Sequence, residues 1–86
     1  NDDAATGVMS ALREAGLSVP SAMAVTGFDD VPSARYSTPS LSSVHVPIRH
    51  FGMSAIRLLI SRIRGVPHEI QDRILPVELR IRESSS

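Results

Sequence analysis

The 86 residues carry nine basic and nine acidic side chains, 42% apolar residues and no cysteine. That length admits at most one small domain, because below roughly 100 residues a single core leaves little stability in reserve. Balanced charge excludes a chain-wide basic face for nucleic acid or a membrane surface, and the lack of cysteine excludes a disulfide framework and fits a reducing, cytoplasmic compartment. No run of about 18 apolar residues and no signal-peptide pattern is present, so no membrane contact is expected.

Asn1, Asp2 and Asp3 lead into AATGVMSALREAG, where Ala5, Val8, Met9, Leu12 and Ala15 recur at helical spacing and Gly16 stands where a helix would stop. The pattern predicts a helix over about residues 3 to 15. After the turn-prone LSVPS, the run MAVTGF predicts a buried strand over about residues 23 to 28. VPSARYSTPSLSS, rich in Ser and Pro, reads as a connection with room for one helical turn, followed by a brief strand at SVHV. Pro47 suits a helix start, and Ile48, Phe51, Ala55, Ile56, Leu59 and Ile63 form an apolar stripe ending at Gly65. In ILPVELRIRE, Leu75, Val77, Leu79 and Ile81 alternate with Glu78, Arg80 and Arg82, the signature of a half-buried strand whose apolar face turns inward. The closing ESSS reads as a frayed tail over residues 84–86.

Alternating helices and strands point to an α/β protein with a largely parallel sheet. Two or three strands give such elements too little partner surface, and the polar opening at Asn1 looks like the turn after a strand. The expectation is therefore a piece of a larger fold. In open parallel sheets ligands lie beyond the carboxyl ends of the strands. Asp29 would stand at that end of its strand, and Asn1 at the end of a strand preceding it. Together a carboxylate and an amide offer the acceptors and donors that polyhydroxylated molecules require. The same two residues would equally serve as a helix cap and a turn cap.

Three stretches in register, the opening ND through AGL and VP, AVTGFDDVPSARYSTPSLSSV, and LLISRIRG with ILPVELRIRES, resemble the carboxyl-terminal third of regulators of the lactose-repressor/galactose-repressor (LacI/GalR) family. The resemblance covers nearly the whole sequence. It implies a fragment of a periplasmic-binding-protein-like (type I) fold, in which two α/β subdomains with parallel sheets are joined by crossover strands. By that resemblance residues 1–45 belong to the distal, carboxyl-terminal subdomain, 46–76 to the DNA-proximal one, and 77–83 to a strand returning to the distal one. It also implies ligand contacts at Asn1, matching the Asn of the ND motif, and at Asp29, matching the first Asp of GFDD. Asp2 and Asp30 are supporting residues, Asp2 at the helix start, where a negative charge meets the helix dipole, and Asp30 in the following turn. His45 and Val46 are candidate ligand or hinge residues. Val46 stands where the family commonly places a Gln facing the effector cleft, which leaves one polar contact in doubt and suggests a different ligand. Arg35 and Tyr36 fall in a region that pairs subunits in relatives and are candidates for a dimer interface.

The implied function is the effector-binding part of a cytoplasmic, non-enzymatic regulator. Its expected partners are a sugar, nucleoside or polyol effector, operator DNA through a helix-turn-helix domain outside this sequence, and a second copy of the protein. No cofactor is called for. A solute-binding protein of an uptake system shares the fold and is the alternative; a free-standing interaction module is a third. The four aspartates lack a calcium-loop pattern, and His45, His50 and His68 have neither zinc-site spacing nor a catalytic order. Arg57, Arg62 and Arg64 read as the solvated face of their helix.

Overall fold

The structure, a computed structural model, describes residues 1–65 and 74–86. His68 and the part of the expected 46–76 segment at 66–73 lie outside the described residues. The chain divides into two compact units, Asn1–Val46 with Val77–Ser86, and Pro47–Pro76.

The first unit opens with helix α1, Asp2–Glu14, whose N-cap is Asn1. Asp2 and Asp3 in its first turn and Arg13 in its last complement the helix dipole. Gly16, at φ +74°, ends it. The Leu17 N–H reaches Leu12 O at 2.9 Å and the Gly16 N–H reaches Arg13 O at 3.0 Å, the paired bonds of a glycine-terminated helix. Strand β1, Thr26–Asp29, is followed by a short helix α2, Pro32–Tyr36, and by β2, Ser42–His45. β3, Glu78–Arg80, and a 3-10 turn at Glu83–Ser85 complete the unit.

The sheet has the order β1-β2-β3. β1 and β2 are parallel, with Asp29 beside His45; β2 and β3 are antiparallel, with His45 beside Glu78. The sheet is thus mixed where a largely parallel one was expected. The reason is topological: the chain leaves the sheet at His45 and returns beside that same residue at Glu78, so the returning strand runs back along β2. Ala5, Met9, Val25, Ala34 and Leu41 form the core, with Leu12 and Val19 against it. A Cβ on Gly27 would collide with Asp2 Oδ1, so only glycine lets α1 approach β1 there.

Three expectations need correction. β1 starts at Thr26 rather than residue 23, because the Val25 N–H turns to Ser84 O at 3.0 Å instead of to a sheet neighbour. The tail is not frayed. Ser84 is fully buried, its hydroxyl donates to Val25 O at 2.7 Å and accepts from the Ser42 N–H at 2.8 Å, and its own N–H reaches Ser40 O at 2.8 Å. Finally, among the described residues the apolar side of the returning segment is left uncovered while an arginine is drawn in. Val77, Leu79 and Ile81 are exposed while Arg80 and Arg82 are half-buried, because Arg82 is drawn inward by buried acceptors described below.

In the second unit, α3 runs from Ile48 to Ile63, with Pro47 at its N-cap and Gly65 at φ +70° just past its end. The predicted helix is present, but its apolar stripe is not covered: Phe51, Ile56, Leu59 and Ile63 are exposed, and Ser54 is its buried residue.

Candidate functional site

The candidate residues of the first unit gather where β1 and β2 end. The parallel register sets Asp29 beside His45 there, and the chain direction of both strands makes this their carboxyl edge, the edge at which open α/β sheets take ligands.

Asn1 Oδ1 accepts the Ala4 N–H at 2.9 Å, so the residue is in fact a helix cap, with its amide NH2 engaged by nothing among the described residues. Asp2, expected as a supporting residue at the helix start, is only 2% exposed. Its Oδ2 accepts the Val31 N–H at 2.7 Å and its Oδ1 accepts the Ser43 hydroxyl at 2.6 Å. That carboxylate is wholly occupied in tying the start of α1 to the loop after β1 and to β2.

The two adjacent acids of the GFDD stretch behave differently. Asp29 has φ 107° and Asp30 φ 57°. Asp30 sits in the left-handed region that aspartate tolerates; Asp29 lies well beyond it, a conformation that costs of order 1–3 kcal/mol and persists only where the surroundings fix it. Asp30 Oδ1 accepts from Arg82 Nη1 at 2.7 Å and Oδ2 lies 2.9 Å from His45 Nδ1. An ionised carboxylate can only accept, so His45 donates through Nδ1. The Arg82 hydrogen bond, aided by His45 and opposed by burial, holds the Asp30 carboxyl below its usual range. The half-buried Asp29 carboxylate accepts no hydrogen bond among the described residues.

Structure thus joins Asp2, Asp30 and His45 into one network, and it does so through two residues the pattern reading did not single out. Ser43, fully buried, donates to Asp2 and accepts the Asp30 N–H at 3.0 Å. Arg82 also donates to Leu41 O at 2.8 Å. The only hint of Ser43 was the pair of serines in LSSV, small hydroxyls inside an otherwise apolar strand. Arg82 had been placed on the solvent face by alternation. Val46 is half-buried next to His45. Arg35 and Tyr36, on α2, are exposed, Tyr36 to 76%. They line, with Asp30, His45 and Arg82, a shallow cavity of about 240 Å³. A larger cavity of about 560 Å³ lies at the far end of α1, between Arg13, Leu17 and Thr38, and contains none of the candidate residues. Size and chemistry disagree here, and the convergent polar groups at the strand ends carry more weight.

No nucleophile, base and acid line up in this arrangement: Ser43 is buried and bonded directly to a carboxylate. Among the described residues no group of three or more His, Asp or Glu side chains could hold a metal ion, and no helix is long and apolar enough to cross a membrane. At this edge the Asp29 carboxylate and the Asn1 amide NH2 have no side-chain hydrogen bond among the described residues.

A family model described as a periplasmic binding protein-like domain matches residues 1–85. A lactose operon repressor from Rhizobium radiobacter is 39% identical over 85 residues, covering 99% of this chain and 74% of that sequence. The chain belongs to the LacI/GalR family. An HTH-type transcriptional repressor PurR from Vibrio cholerae is 41% identical over 69 residues, 80% of this chain; the chain spans only 20% of the length of that relative. Among solved structures, a periplasmic binding protein/LacI transcriptional regulator from Alkaliphilus metalliredigens, complexed with D-xylulofuranose, superposes with a TM-score of 0.87 at 37% identity, over 100% of this chain and 32% of that one. The mixed sheet and the strand-end acids therefore sit in a LacI/GalR effector-binding type of fold.

Proposed function

We propose that the chain forms part of the effector-binding core of a DNA-binding transcriptional regulator, with residues 1–45 in the subdomain distal to DNA, 46–76 in the DNA-proximal one and 77–83 returning to the distal one. The effector is a sugar, nucleoside or similar polyol, held by Asn1 and Asp29 at the strand ends, with His45 and Val46 at the rim. The observation that carries this reading is the Asp29 carboxylate. It is held at φ 107° at the carboxyl edge of β1 and satisfied by nothing among the described residues, while its neighbours Asp2 and Asp30 are fully engaged. An ionised carboxylate offers acceptor sites to two hydroxyls, and with no protein partner on it a ligand hydroxyl is a fitting one. The sugar bound to the Alkaliphilus relative supports the chemical class.

Regulation follows from differential affinity: an effector that binds one arrangement of the subdomains better shifts the protein toward it. Operator DNA, bound through a helix-turn-helix domain outside this chain, then changes effector affinity by the same factor, typically worth about 1–3 kcal/mol. The protein acts as a cytoplasmic homodimer, with Arg35 and Tyr36 available to the interface, and performs no catalysis. Both curated relatives described above are repressors, which disfavours the solute-uptake alternative.

The test is calorimetric titration of the full-length protein with D-ribose, D-xylulose, glycerol and adenosine. At least one is expected to bind, and Asp29→Ala should weaken it by about 1.5–3 kcal/mol, the range for hydrogen bonds to charged groups. Unchanged affinity in that variant would remove Asp29 from the site.

A further inference from the structure

Asp30 lies next to the unengaged carboxylate and is anchored at every polar atom that can reach β2 or the segment after β3. Its N–H donates to Ser43 Oγ at 3.0 Å, Oδ1 takes Arg82 Nη1 at 2.7 Å and Oδ2 takes His45 Nδ1 at 2.9 Å. The following residue is fixed as well, because the Val31 N–H is bound by Asp2 Oδ2 at 2.7 Å. The Asp30 side chain is 8% exposed and that of Arg82 14%, so these bonds form where water competes poorly. Asp29, by contrast, has no side-chain anchor, yet it is held at φ 107°. A residue bearing a Cβ stays in such a conformation only when its surroundings over-determine it; Asp29 is fixed on one side by the β1–β2 pairing opposite His45 and on the other by the anchors of Asp30 and Val31.

We infer that Asp30 is a positioning residue for the ligand site: its hold on Ser43, Arg82 and His45 turns the chain so that the neighbouring Asp29 carboxylate is presented, unpaired, to a hydroxyl-bearing ligand. This rests on the reading of Asp29 as the ligand acceptor. The benefit to binding is preorganisation. A carboxylate already fixed in its binding orientation loses little freedom when the ligand arrives. Ser43 is fully buried and acts on the ligand only through Asp29; His45 and Arg82 also line the neighbouring cavity, so their part in presenting Asp29 is read as the share of their effect that disappears when Asp29 is removed.

The experiment uses the full-length protein, D-ribose and D-xylulose as probes, and crystal structures of the wild type and Asp30→Ala. Asp29 is expected to leave the positive-φ region in Asp30→Ala, and the dissociation constant for whichever probe binds should rise at least about tenfold. In an Asp29→Ala background the added Asp30→Ala change should cost no further affinity, since coupled residues are non-additive. A purely structural loss would act in both backgrounds, and Ser84→Ala, which weakens the fold away from the site, should lower the unfolding midpoint without changing probe affinity. Asp29 keeping its positive φ in Asp30→Ala overturns the inference, as does an additive effect in the double variant. Should Asp30→Ala fail to fold, His45→Gln removes one arm at a half-exposed position; a few-fold weakening that vanishes in the Asp29→Ala background supports the inference and an unchanged affinity overturns it. Wild-type protein that binds neither probe counts against the ligand reading, while relaxation of Asp29 in Asp30→Ala still establishes what holds its backbone.

Discussion

In the unit built from residues 1–46 and 77–86, Met9, Val25, Ala34 and Leu41 are buried together and the polar groups of Asp2, Ser42, Ser43 and Ser84 are buried with them. Along α3 in the other unit, the stronger apolar stripe of Phe51, Ile56, Leu59 and Ile63 is exposed. The difference separates two meanings of an apolar pattern. Periodicity states which face of an element is to be covered; it does not supply what covers it. The first unit closes because small residues such as Gly27 and Ala34 let backbone and polar side chains approach, and because each buried polar atom then finds a partner. Among the described residues no buried side-chain nitrogen or oxygen is left without one.

That contrast can be broken or sharpened by substitution in the intact protein. The largest effect is expected at Asp2, whose carboxylate accepts two hydrogen bonds in a site 2% exposed. Asp2→Ala should destabilise by about 3–6 kcal/mol, two charge-assisted bonds at about 1.5–3 kcal/mol each, read from the midpoint and slope of urea unfolding. A loss under about 1 kcal/mol would mean that apolar packing alone closes this unit.

Next comes the serine clasp. Ser84→Ala leaves Val25 O and the Ser42 N–H without their side-chain partner. It should cost about 2 kcal/mol, measurable as a lower unfolding temperature, and a neutral result would restore the tail to the frayed state that composition suggested.

Acid should act more weakly, and with a definite sign. The Asp30 carboxyl is held below its ordinary value by Arg82, so it is depressed in the folded state relative to the unfolded one. Its contribution is fully present above the unfolded carboxylate range near pH 4 and is lost as pH falls through the lower folded value. Unfolding midpoints measured from pH 7 down to pH 2.5 should therefore fall less steeply for Asp30→Asn than for the wild type. Parallel curves would count against the Arg82 pairing.

The smallest change is expected on α3. Ile63, 75% exposed, should tolerate Ile63→Asn within about 0.5 kcal/mol. A cost above about 2 kcal/mol in the intact protein would show that residues beyond those described cover the stripe, and the contrast between the two units would then be one of partner rather than of kind.

Much of this was legible without coordinates. The spacing of Ala5, Met9 and Leu12 with Gly16 placed α1, and the stripe ending at Gly65 placed α3, because helix periodicity and glycine termination are local properties. Asp29 at the end of its strand was legible for the same reason. The pairing of Asp30 with Arg82 was not, since a turn residue and an apparently solvated arginine, 52 positions apart, meet only once β3 has returned along β2. Ser43 was hidden because a serine's value depends on what lies within 3 Å of its hydroxyl, and alternation carries no such information.

Taken by itself, the sequence determined the helices, the direction and order of the first two strands, and the family to which these residues belong, because each is written in neighbouring residues. Only the tertiary structure decided that β3 runs antiparallel to β2, that Ser84 in the tail is buried, and that of the neighbouring acids Asp29 and Asp30 one is bound and the other unpaired. Those outcomes depend on the desolvation of charged and hydroxyl groups. A buried carboxylate demands partners from wherever the chain can bring them, and that demand overrides the local preference of Arg82 for water.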